Sequence, residues 1–239
     1  MKIVSKKENQ MVFRTEIDES LANAIRRYVY QIPVLAIDEV EISKNDSALY
    51  DETIAHRLGL VPLEMKGAAK KEATLKLNVD KEGLVYSGNL KGDVKVVYDK
   101  IPITSLNKGQ ELEIVATARL GKGSEHAKFS PGIMVYRNMA EIKIEKECPA
   151  EITEICPKRI LKSENGKISV TDSLMCDLCN ACVEFSKKKK KEFIKVTPTE
   201  ELLISVESFG QLETGDIFKK AVEELKRDLH EVEKHVSKA

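Results

Sequence analysis

Hydrophobic positions in the first sixty residues follow two different spacings, and each spacing predicts a different element. Residues 11–17 alternate between apolar and polar, which is typical of a half-buried strand. Residues 21–32 carry apolar side chains at helical intervals behind a polar N-cap candidate, and the proline that follows ends that helix. Alternation returns in 34–42, which predicts a second strand, and residues 51–60 predict a short helix closed by glycine and proline.

The middle of the chain, from about residue 70 to 145, reads as a series of short strands. Its β-prone runs are broken by Gly, Pro and Asn, and they are LKLNV, VKVVY, LEIVATARL, IMVYR and EIKIE. One more strand is predicted over 201–209. Strands and helices in this order predict an α+β fold.

The C-terminal residues predict a long amphipathic helix behind a cap near Asp216. Its apolar positions are Phe218, Ala221, Val222, Leu225, Leu229, Val232 and Val236. From Val222 onward they are spaced by three and four residues, as in a seam that packs against another helix. About two heptads are too few for a free coiled coil, so the pattern leaves two alternatives: packing on the chain's own core, or a helix–helix interface.

Composition and charge exclude several classes of function. The 239 residues are 42% hydrophobic and 33% charged, as in an ordinary globular protein. Lys and Arg number 39 and so do Asp and Glu, and this balance disfavours a stand-alone nucleic-acid binder. No stretch approaches the roughly 20 apolar residues of a membrane helix, and the N-terminus lacks the apolar region of a signal peptide. We expect a cytoplasmic protein with no membrane contact.

Five cysteines lie within one segment, and their spacing predicts a metal site. An odd number of clustered cysteines makes a poor disulfide framework, whereas clustered thiols in an intracellular protein more often bind metal. Cys176, Cys179 and Cys182 form C-x₂-C-x₂-C, the ferredoxin-type arrangement around an iron–sulfur cluster. A fourth ligand is usually a cysteine followed by proline, a test that both Cys148 and Cys156 pass.

The bacterial ferredoxin register selects Cys156 as that fourth ligand. In the run C-x₂-C-x₂-C-x₃-C-P the last cysteine ligates the other cluster of a two-cluster protein. Counting back from Cys156, the three preceding ligand positions hold Lys146, Pro149 and Ile152, and Ser186 replaces the last cysteine of the second run. We therefore expect one cluster, 4Fe–4S or, with one ligand unengaged, 3Fe–4S. Its ligands are Cys156, Cys176, Cys179 and Cys182. Cys148 fits neither register, and structural zinc or no metal are the alternatives.

The remaining polar motifs do not predict catalysis. Arg26 and Arg27 stand side by side on an apolar helix, either as a solvated face or as contacts to a partner's carboxylates. Glu52 and His56 form an i, i+4 pair, which is more often a local hydrogen bond or ion pair than an acid–base site. The lysine run 187–191 is typical of a solvated loop.

Three long blocks resemble the D-subunit family of archaeal DNA-directed RNA polymerase. They are NAIRRYVYQIPVLAIDEV, NDSALYDETIAHRLGLVPL and GKGSEHAKFSPG, and they also resemble, more distantly, the third subunit of eukaryotic polymerase II and the N-terminal domain of bacterial α. The block LMCDLCNAC is similar to the ferredoxin-like insertion of cluster-bearing members. The resemblance implies a non-catalytic assembly subunit with no direct DNA contact. A ferredoxin-type electron carrier or redox-enzyme subunit is the alternative function.

The resemblance also implies an architecture and partners. It implies a discontinuous dimerisation domain (1–44 and 196–239), a β-rich insert (45–145) and an iron–sulfur module (146–195). The dimerisation domain of the family pairs with subunit L and docks the second-largest subunit, with small subunits N and P alongside. The residues expected at subunit interfaces are Arg26, Arg27, Phe218, Val222, Leu225, Leu229 and Val232.

Overall fold

The computed structural model describes residues 1–65, 71–145, 147–164 and 166–238. Within these ranges strands and helices intermix along the chain, so the fold is mixed α and β, as predicted. In chain order the elements are β1 (Lys2–Lys6), β2 (Gln10–Thr15), α1 (Glu19–Tyr28), β3 (Pro33–Asn45), α2 (Asp51–Gly59), β4 (Glu72–Val79), β5 (Gly83–Tyr86), β6 (Lys91–Gly92), β7 (Pro102–Leu106), β8 (Leu112–Lys122), β9 (Gly132–Ile144), α3 (Ile152–Ile155), β10 (Leu161–Glu164), β11 (Lys167–Val170), α4 (Ala181–Lys188), β12 (Ile194–Ser208) and α5 (Thr214–Val236).

The elements predicted from the N- and C-terminal patterns are present. After α1 a 3₁₀ turn continues to Gln31, and Pro33 then opens β3, where its missing N–H costs no helical bond. The terminal helix begins at Thr214, two residues before the predicted cap. The strand predicted over 201–209 is the second half of β12, which begins earlier, at Ile194.

One predicted strand is wrong, and several strands were not predicted. The VKVVY run forms only an isolated bridge between Val96 and Leu63, with backbone bonds to the chain around Pro62. Its valines suit a strand, but the segment that it faces pairs with it for a few residues only. The unpredicted strands are short or mostly exposed, so they carry a weak alternating pattern: β1, β5, β6, β7, β10 and β11.

The chain divides into two compact units. The larger comprises Ser5–Met11, Asn23–Met134 and the chain from Val206 onward, and the smaller comprises Met1–Val4, Val12–Ala22 and Val135–Ser205. Strands β1, β2, β12 and β9 form one four-stranded sheet in that order. Among the described helices, none is long and apolar enough to cross a membrane.

The larger unit contains the sheet β3-β8-β4-β6, which we call the β8 sheet. Strand β8 pairs antiparallel with β3 from Gly121 opposite Val34 to Leu112 opposite Asn45, and with β4 on its other side. The alternation in β4 and β8 places their apolar residues on one buried face. That core includes Leu35, Ile37, Ile54, Leu58, Leu63, Leu75, Leu77, Val85, Ile103, Leu106, Leu112 and Ile114.

A β-bulge at Asp38 organises a charged cluster beside this sheet. The pairing of β3 with β8 skips Asp38, and such bulges re-aim side chains. Arg119 donates to its carboxylate through Nε at 2.6 Å, and the Lys128 ammonium donates to the other oxygen. Both cations lie over the buried Phe129 ring, and a Cβ at Gly121 would lie 2.6 Å from that ring. The GKGSEHAKFSPG block therefore has a packing role in this unit.

The smaller unit contains the residues around the cysteines. Strands β10 and β11 form an antiparallel hairpin from Leu161 opposite Val170 to Glu164 opposite Lys167. Helices α3 and α4 contact each other, and α3 also contacts β10. The buried residues of this region are Ala140, Cys148, Ile152, Cys156, Ile160, Leu161, Cys176, Phe193 and Ile194.

Candidate cysteine site and subunit interface

The four cysteines predicted as ligands line a single cavity in the smaller unit. Cys156 follows the last residue of α3, Cys176 follows a 3₁₀ turn over Ser173–Met175, and Cys182 lies in the first turn of α4. Cys179 lies in the loop between the last two. The cavity measures about 20 Å³, room for about one water molecule. Cys156 thus lines the same cavity as the triplet, although 19 residues separate it from Cys176 in the sequence.

Left-handed backbone conformations shape the loop between these cysteines. Leu178 and Asn180 both have φ of 59°, a region that side chains other than glycine seldom adopt. Each lies directly beside a cysteine of the C-x₂-C-x₂-C block. Left-handed residues in a tight loop are one component of the nests that bind anions, iron–sulfur clusters among them. Strain at two non-glycine positions is the kind that functional sites retain.

Burial differs among the four thiols. Cys156 and Cys176 are buried, Cys182 is half-buried and Cys179 is exposed. Burial raises the pKa of the Cys182 thiol, and the neighbouring Cys156 and Cys176 raise that pKa further. The Cys182 thiol therefore resists ionisation unless a cation lies close to it.

Four thiols are a donor set that zinc and iron–sulfur clusters share. Among residues 1–65, 71–145, 147–164 and 166–238, no group of three or more His, Cys, Asp or Glu is placed to hold one metal ion. A zinc ion needs four thiolates in direct tetrahedral contact, whereas an iron–sulfur cube sits between its thiolates and separates them more widely. The four thiols line one mostly apolar cavity, and their role as cluster ligands stays a prediction.

Cys148 takes a different position from the other four. It is buried in the apolar core of the smaller unit, and burial raises the pKa of its thiol. It is not among the described residues that line the cysteine cavity. The C-P test alone did not separate it from Cys156, and the register argument did.

Two polar contacts of the cysteine loops were not anticipated from the sequence. The Arg137 guanidinium, on β9, donates to the carbonyl oxygens of Leu174 and Cys176. Lys158 and Asp177 form an ion pair at 3.8 Å, and each lies within two residues of a predicted ligand. A lone arginine in a β-prone run carries no spacing signal, so only the fold brings it to the loop.

The lysine run 187–191 is exposed, as predicted, but it is not all loop, because Lys187 and Lys188 form the last turn of α4. Two of its members pair with acidic residues of another loop: Lys189 with Glu151 at 3.1 Å, and Lys191 with Glu147 at 3.2 Å. These contacts tie the end of α4 to the segment that leads into α3. Exposed pairs of this kind contribute little to stability.

The paired arginines of α1 differ in their surroundings. Arg26 is half-buried and donates to the Asn23 side chain at 2.9 and 3.2 Å, within its own helix. Arg27 is exposed, and its side chain has no hydrogen-bond or ion-pair partner within the described ranges. The two positions predicted to contact a larger subunit are therefore not equivalent.

Helix α5 buries its first turns and exposes its apolar end. Ile217 and Ala221 are fully buried, and the predicted seam residues Phe218, Val222 and Leu225 are half-buried. Leu229 and Val232 are 60% and 59% exposed, and Val236 is 71% exposed. The first alternative therefore holds for the first half of the helix, which packs on the chain's own core. The second half presents apolar side chains to solvent, and a helix–helix interface there stays a prediction.

Tyr28 and Asp228 connect the two helices of the predicted interface. The Tyr28 hydroxyl donates to the Asp228 carboxylate at 3.0 Å across 200 residues of sequence. Burial raises the pKa of Tyr28, and the hydrogen bond to Asp228 raises it further. This bond ends the buried part of α5, one residue before the exposed Leu229.

Comparison with known proteins first defines the class. The family model described as the RNA polymerase Rpb3/RpoA insert domain matches residues 40–136, which include β4 to β8 and part of β3. The predicted insert, 45–145, overlaps this range, and its boundaries stay a prediction. The β8 sheet thus belongs to a subunit of a multisubunit RNA polymerase.

Relatives over the whole chain define the family. DNA-directed RNA polymerase subunit Rpo3 of Pyrococcus horikoshii is 35% identical, covering 95% of this chain and 93% of the relative. The Rpo3 subunits of Archaeoglobus fulgidus and Thermococcus kodakarensis are 32% and 39% identical, over 90% and 69% of this chain and 89% and 70% of the relatives. The chain belongs to the archaeal Rpo3 family, which is the D-subunit family, and the resemblance inferred from its sequence blocks is confirmed.

Proposed function

We propose that this chain is a non-catalytic subunit that assembles and stabilises archaeal DNA-directed RNA polymerase in the cytoplasm. Membership of the Rpo3 family supports the assignment to the polymerase. The observation that carries the assembly role is the exposed apolar end of α5, at Leu229, Val232 and Val236.

The partner on this end of α5 is the small subunit L, in a heterodimer. Three apolar side chains lie on one face of the helix at intervals of three and four residues, the spacing of a helix–helix seam. The same helix is anchored to the larger unit by Ile217, Ala221 and the Tyr28–Asp228 bond. A rigidly held helix with an apolar end loses little conformational entropy on binding.

The second-largest subunit, with small subunits N and P nearby, is the larger partner of this heterodimer. Arg27 supports this part of the proposal, because it is exposed beside the helix pair and a guanidinium suits a carboxylate on another chain. Arg26 already bonds to Asn23, so its contribution to such a contact is smaller.

The four thiols that line the cysteine cavity are the ligands of one iron–sulfur cluster in a ferredoxin-like module: Cys156, Cys176, Cys179 and Cys182. What supports this is the convergence of the four thiols and the left-handed residues between them. When bound, the cluster supplies a covalent cross-link between the end of α3, the loop after β11 and the start of α4. The thiols hold these elements together, and metal binding then becomes folding free energy.

A binding measurement with α5 variants tests the assembly role. The purified chain and a candidate L subunit are titrated by calorimetry, with the double variant Leu229→Asp/Val232→Asp beside the natural chain. Charges on two exposed seam residues should weaken the heterodimer by about 100-fold or more, which is the scale of interface hot spots. The melting temperature of the free variant should be unchanged, because both side chains are already exposed.

The matched control is Lys226→Asp, an exposed position on the same helix outside the seam. This variant should bind subunit L within a few-fold of the natural chain. Natural affinity of the Leu229/Val232 variant would remove the proposed interface. A natural chain that ignores subunit L and undergoes reversible reduction instead would favour the electron carrier.

A further inference from the structure

Arg137 connects strand β9 to the loop that leads into the cysteine triplet. One terminal nitrogen of its guanidinium donates to the carbonyl oxygen of Cys176, and the other donates to the carbonyl oxygen of Leu174. These partners lie 39 and 37 residues further along the chain, in the same compact unit. Arg137 itself lies outside the predicted iron–sulfur module of 146–195.

The Arg137 guanidinium bonds to backbone carbonyls, so it fixes the backbone of the loop and not a side chain. A guanidinium is planar and donates two bonds in a rigid fork, so both carbonyls must keep one orientation relative to each other. Because a trans peptide is planar, a fixed Cys176 carbonyl also fixes the direction of the Asp177 N–H. Arg137 therefore fixes the backbone at Cys176, the first ligand of the triplet.

Further contacts hold the same turn at its other points. The Asp172 carboxylate accepts from the Leu174 N–H at 2.9 Å, and the Cys176 N–H donates to the Ser173 carbonyl oxygen at 3.2 Å. These bonds are local, within four residues, and they form a 3₁₀ turn without fixing its place in the unit. Arg137 is a long-range contact that bonds to the turn itself, and it places that turn against β9.

We propose that Arg137 is the positioning residue of the cysteine site: its fork on Leu174 and Cys176 holds the Cys176 thiol where a cluster binds. This inference rests on the proposed cluster. Arg137 touches no thiol in this arrangement, and it acts through the backbone. Groups that orient metal ligands typically contribute 10–100-fold to metal affinity, and we expect an effect of about that size here.

The test uses the full chain, purified without oxygen, as the natural sequence, Arg137→Gln, Arg137→Lys and the control Arg14→Gln. Arg14 lies on β2, in the same sheet as β9, and forms a partly exposed ion pair with Glu201 at 3.6 Å. Each protein is assayed for iron per chain, for the rate of iron release to a chelator and by EPR of the oxidised cluster. An oxidised three-iron cluster is paramagnetic, whereas an oxidised four-iron cluster is not, so EPR reports whether one ligand has disengaged.

Arg137→Gln should release iron about 10–100-fold faster than the natural chain and should show a larger three-iron signal. Arg137→Lys should resemble Gln more than Arg, because an ammonium cannot bridge two carbonyls as a planar fork does. Arg14→Gln should match the natural chain. Circular dichroism of each variant shows whether it is folded, and a purely structural role would lower the melting temperature without changing the EPR signal.

Two results would overturn the inference in different ways. If the natural chain binds iron and Arg137→Gln keeps its iron content, release rate and EPR signal, Arg137 is not a positioning residue although the cluster is present. If the natural chain itself carries no iron, the proposed cluster is wrong, and the proposed positioning role of Arg137 is then wrong as well.

Discussion

The β8 sheet and the cysteine segment, residues 148–194, differ in the length of their elements and in the residues that form their cores. Strands β3 and β8 have 13 and 11 residues and pair along nearly their whole lengths over an aliphatic core. In the cysteine segment β10, β11 and α3 have four residues each, and α4 has eight. Its buried residues include three cysteines: Cys148, Cys156 and Cys176.

This difference indicates which region needs a cross-link for its stability. Hydrophobic burial scales with area, so long paired strands with Leu, Ile and Val beneath them are stable without other bonds. A segment of short elements has too little apolar surface to offset its chain entropy, and such segments usually rely on metals or disulfides. The proposed cluster would supply in the cysteine segment what the aliphatic core supplies beneath the β8 sheet.

Removal of iron should have the largest effect on stability, and it should destabilise the cysteine segment without destabilising the β8 sheet. In the cysteine segment we expect amide protection to fall by about 100-fold or more, because structural metal sites can contribute about 10 kcal/mol to folding. Protection in β3 and β8 should stay unchanged. Hydrogen exchange of the anaerobic full chain, with and without a chelator, measures both regions in one experiment.

The control for iron removal is Cys176→Ser, which lacks a proposed ligand. Its cysteine segment should exchange rapidly before the chelator is added, and no faster afterwards. Equal protection of both regions in chelated natural protein would contradict a metal-dependent cysteine segment.

A substitution that leaves a cavity beneath the β8 sheet should have the next largest effect on stability, and it should act on this sheet and not on the cysteine segment. Leu75 is fully buried in that core, so Leu75→Ala should lower the free energy of unfolding by about 2–5 kcal/mol. Iron content should not change. Urea unfolding followed by exchange of the β8 amides measures the loss, and Leu84→Ala, at an exposed position on β5, should stay within about 0.5 kcal/mol of the natural chain.

Asp38 gives the β8 sheet a dependence on pH. The hydrogen bonds from Lys128 and Arg119 hold the pKa of its carboxyl below the ordinary value of 3.8. Its contribution is therefore fully present above pH 3.8 and is lost as the pH falls through the lower pKa of the folded state. Asp38→Asn should cost about 2 kcal/mol at neutral pH and should remove this dependence.

Unfolding free energies measured across acidic pH values test this prediction. The control Asp80→Asn changes an exposed carboxylate after β4 and should keep the natural profile. An Asp38→Asn profile parallel to the natural one at acidic pH would show that the carboxylate does not titrate as described.

Cys148→Ala should have the smallest effect on stability. Within the cysteine segment it allows Cys148 to be compared with the proposed ligand Cys156. Cys148 and Cys156 are both buried and both precede a proline, but only Cys156 of these two lines the cavity. Cys148→Ala should cost about 1 kcal/mol and keep its iron, whereas Cys156→Ala should lose four-iron binding. Iron and sulfide analysis measures both variants, and iron loss from Cys148→Ala would make Cys148 a ligand.

Sequence patterns predicted those parts of the molecule whose signal is local. The helical spacing of α1 and α5 and the β-prone runs of β4 and β8 are visible in single segments, and these elements were found where predicted. Cysteine spacing singled out four thiols that line one cavity, since the ferredoxin register is itself a local pattern, and their role as ligands stays a prediction. The family resemblance rested on long blocks and is confirmed.

The remaining features depend on which segments meet. VKVVY has the composition of a strand but finds only a short partner at Leu63. The fork of Arg137 and the bond from Tyr28 to Asp228 join residues 37 to 200 positions apart. Nothing in the neighbouring sequence announces such pairs, because their geometry exists only after the strands and helices have packed.

The most direct test of the proposed function is anaerobic purification of this chain after co-expression with a candidate subunit L. Mass and absorbance at about 400 nm, where sulfide-to-iron charge transfer is expected, are read in the same chromatographic peak. We expect a heterodimer that carries this absorbance and about four iron atoms per pair. A monomer that does not bind subunit L would contradict the assembly role, and a colourless heterodimer would contradict the cluster.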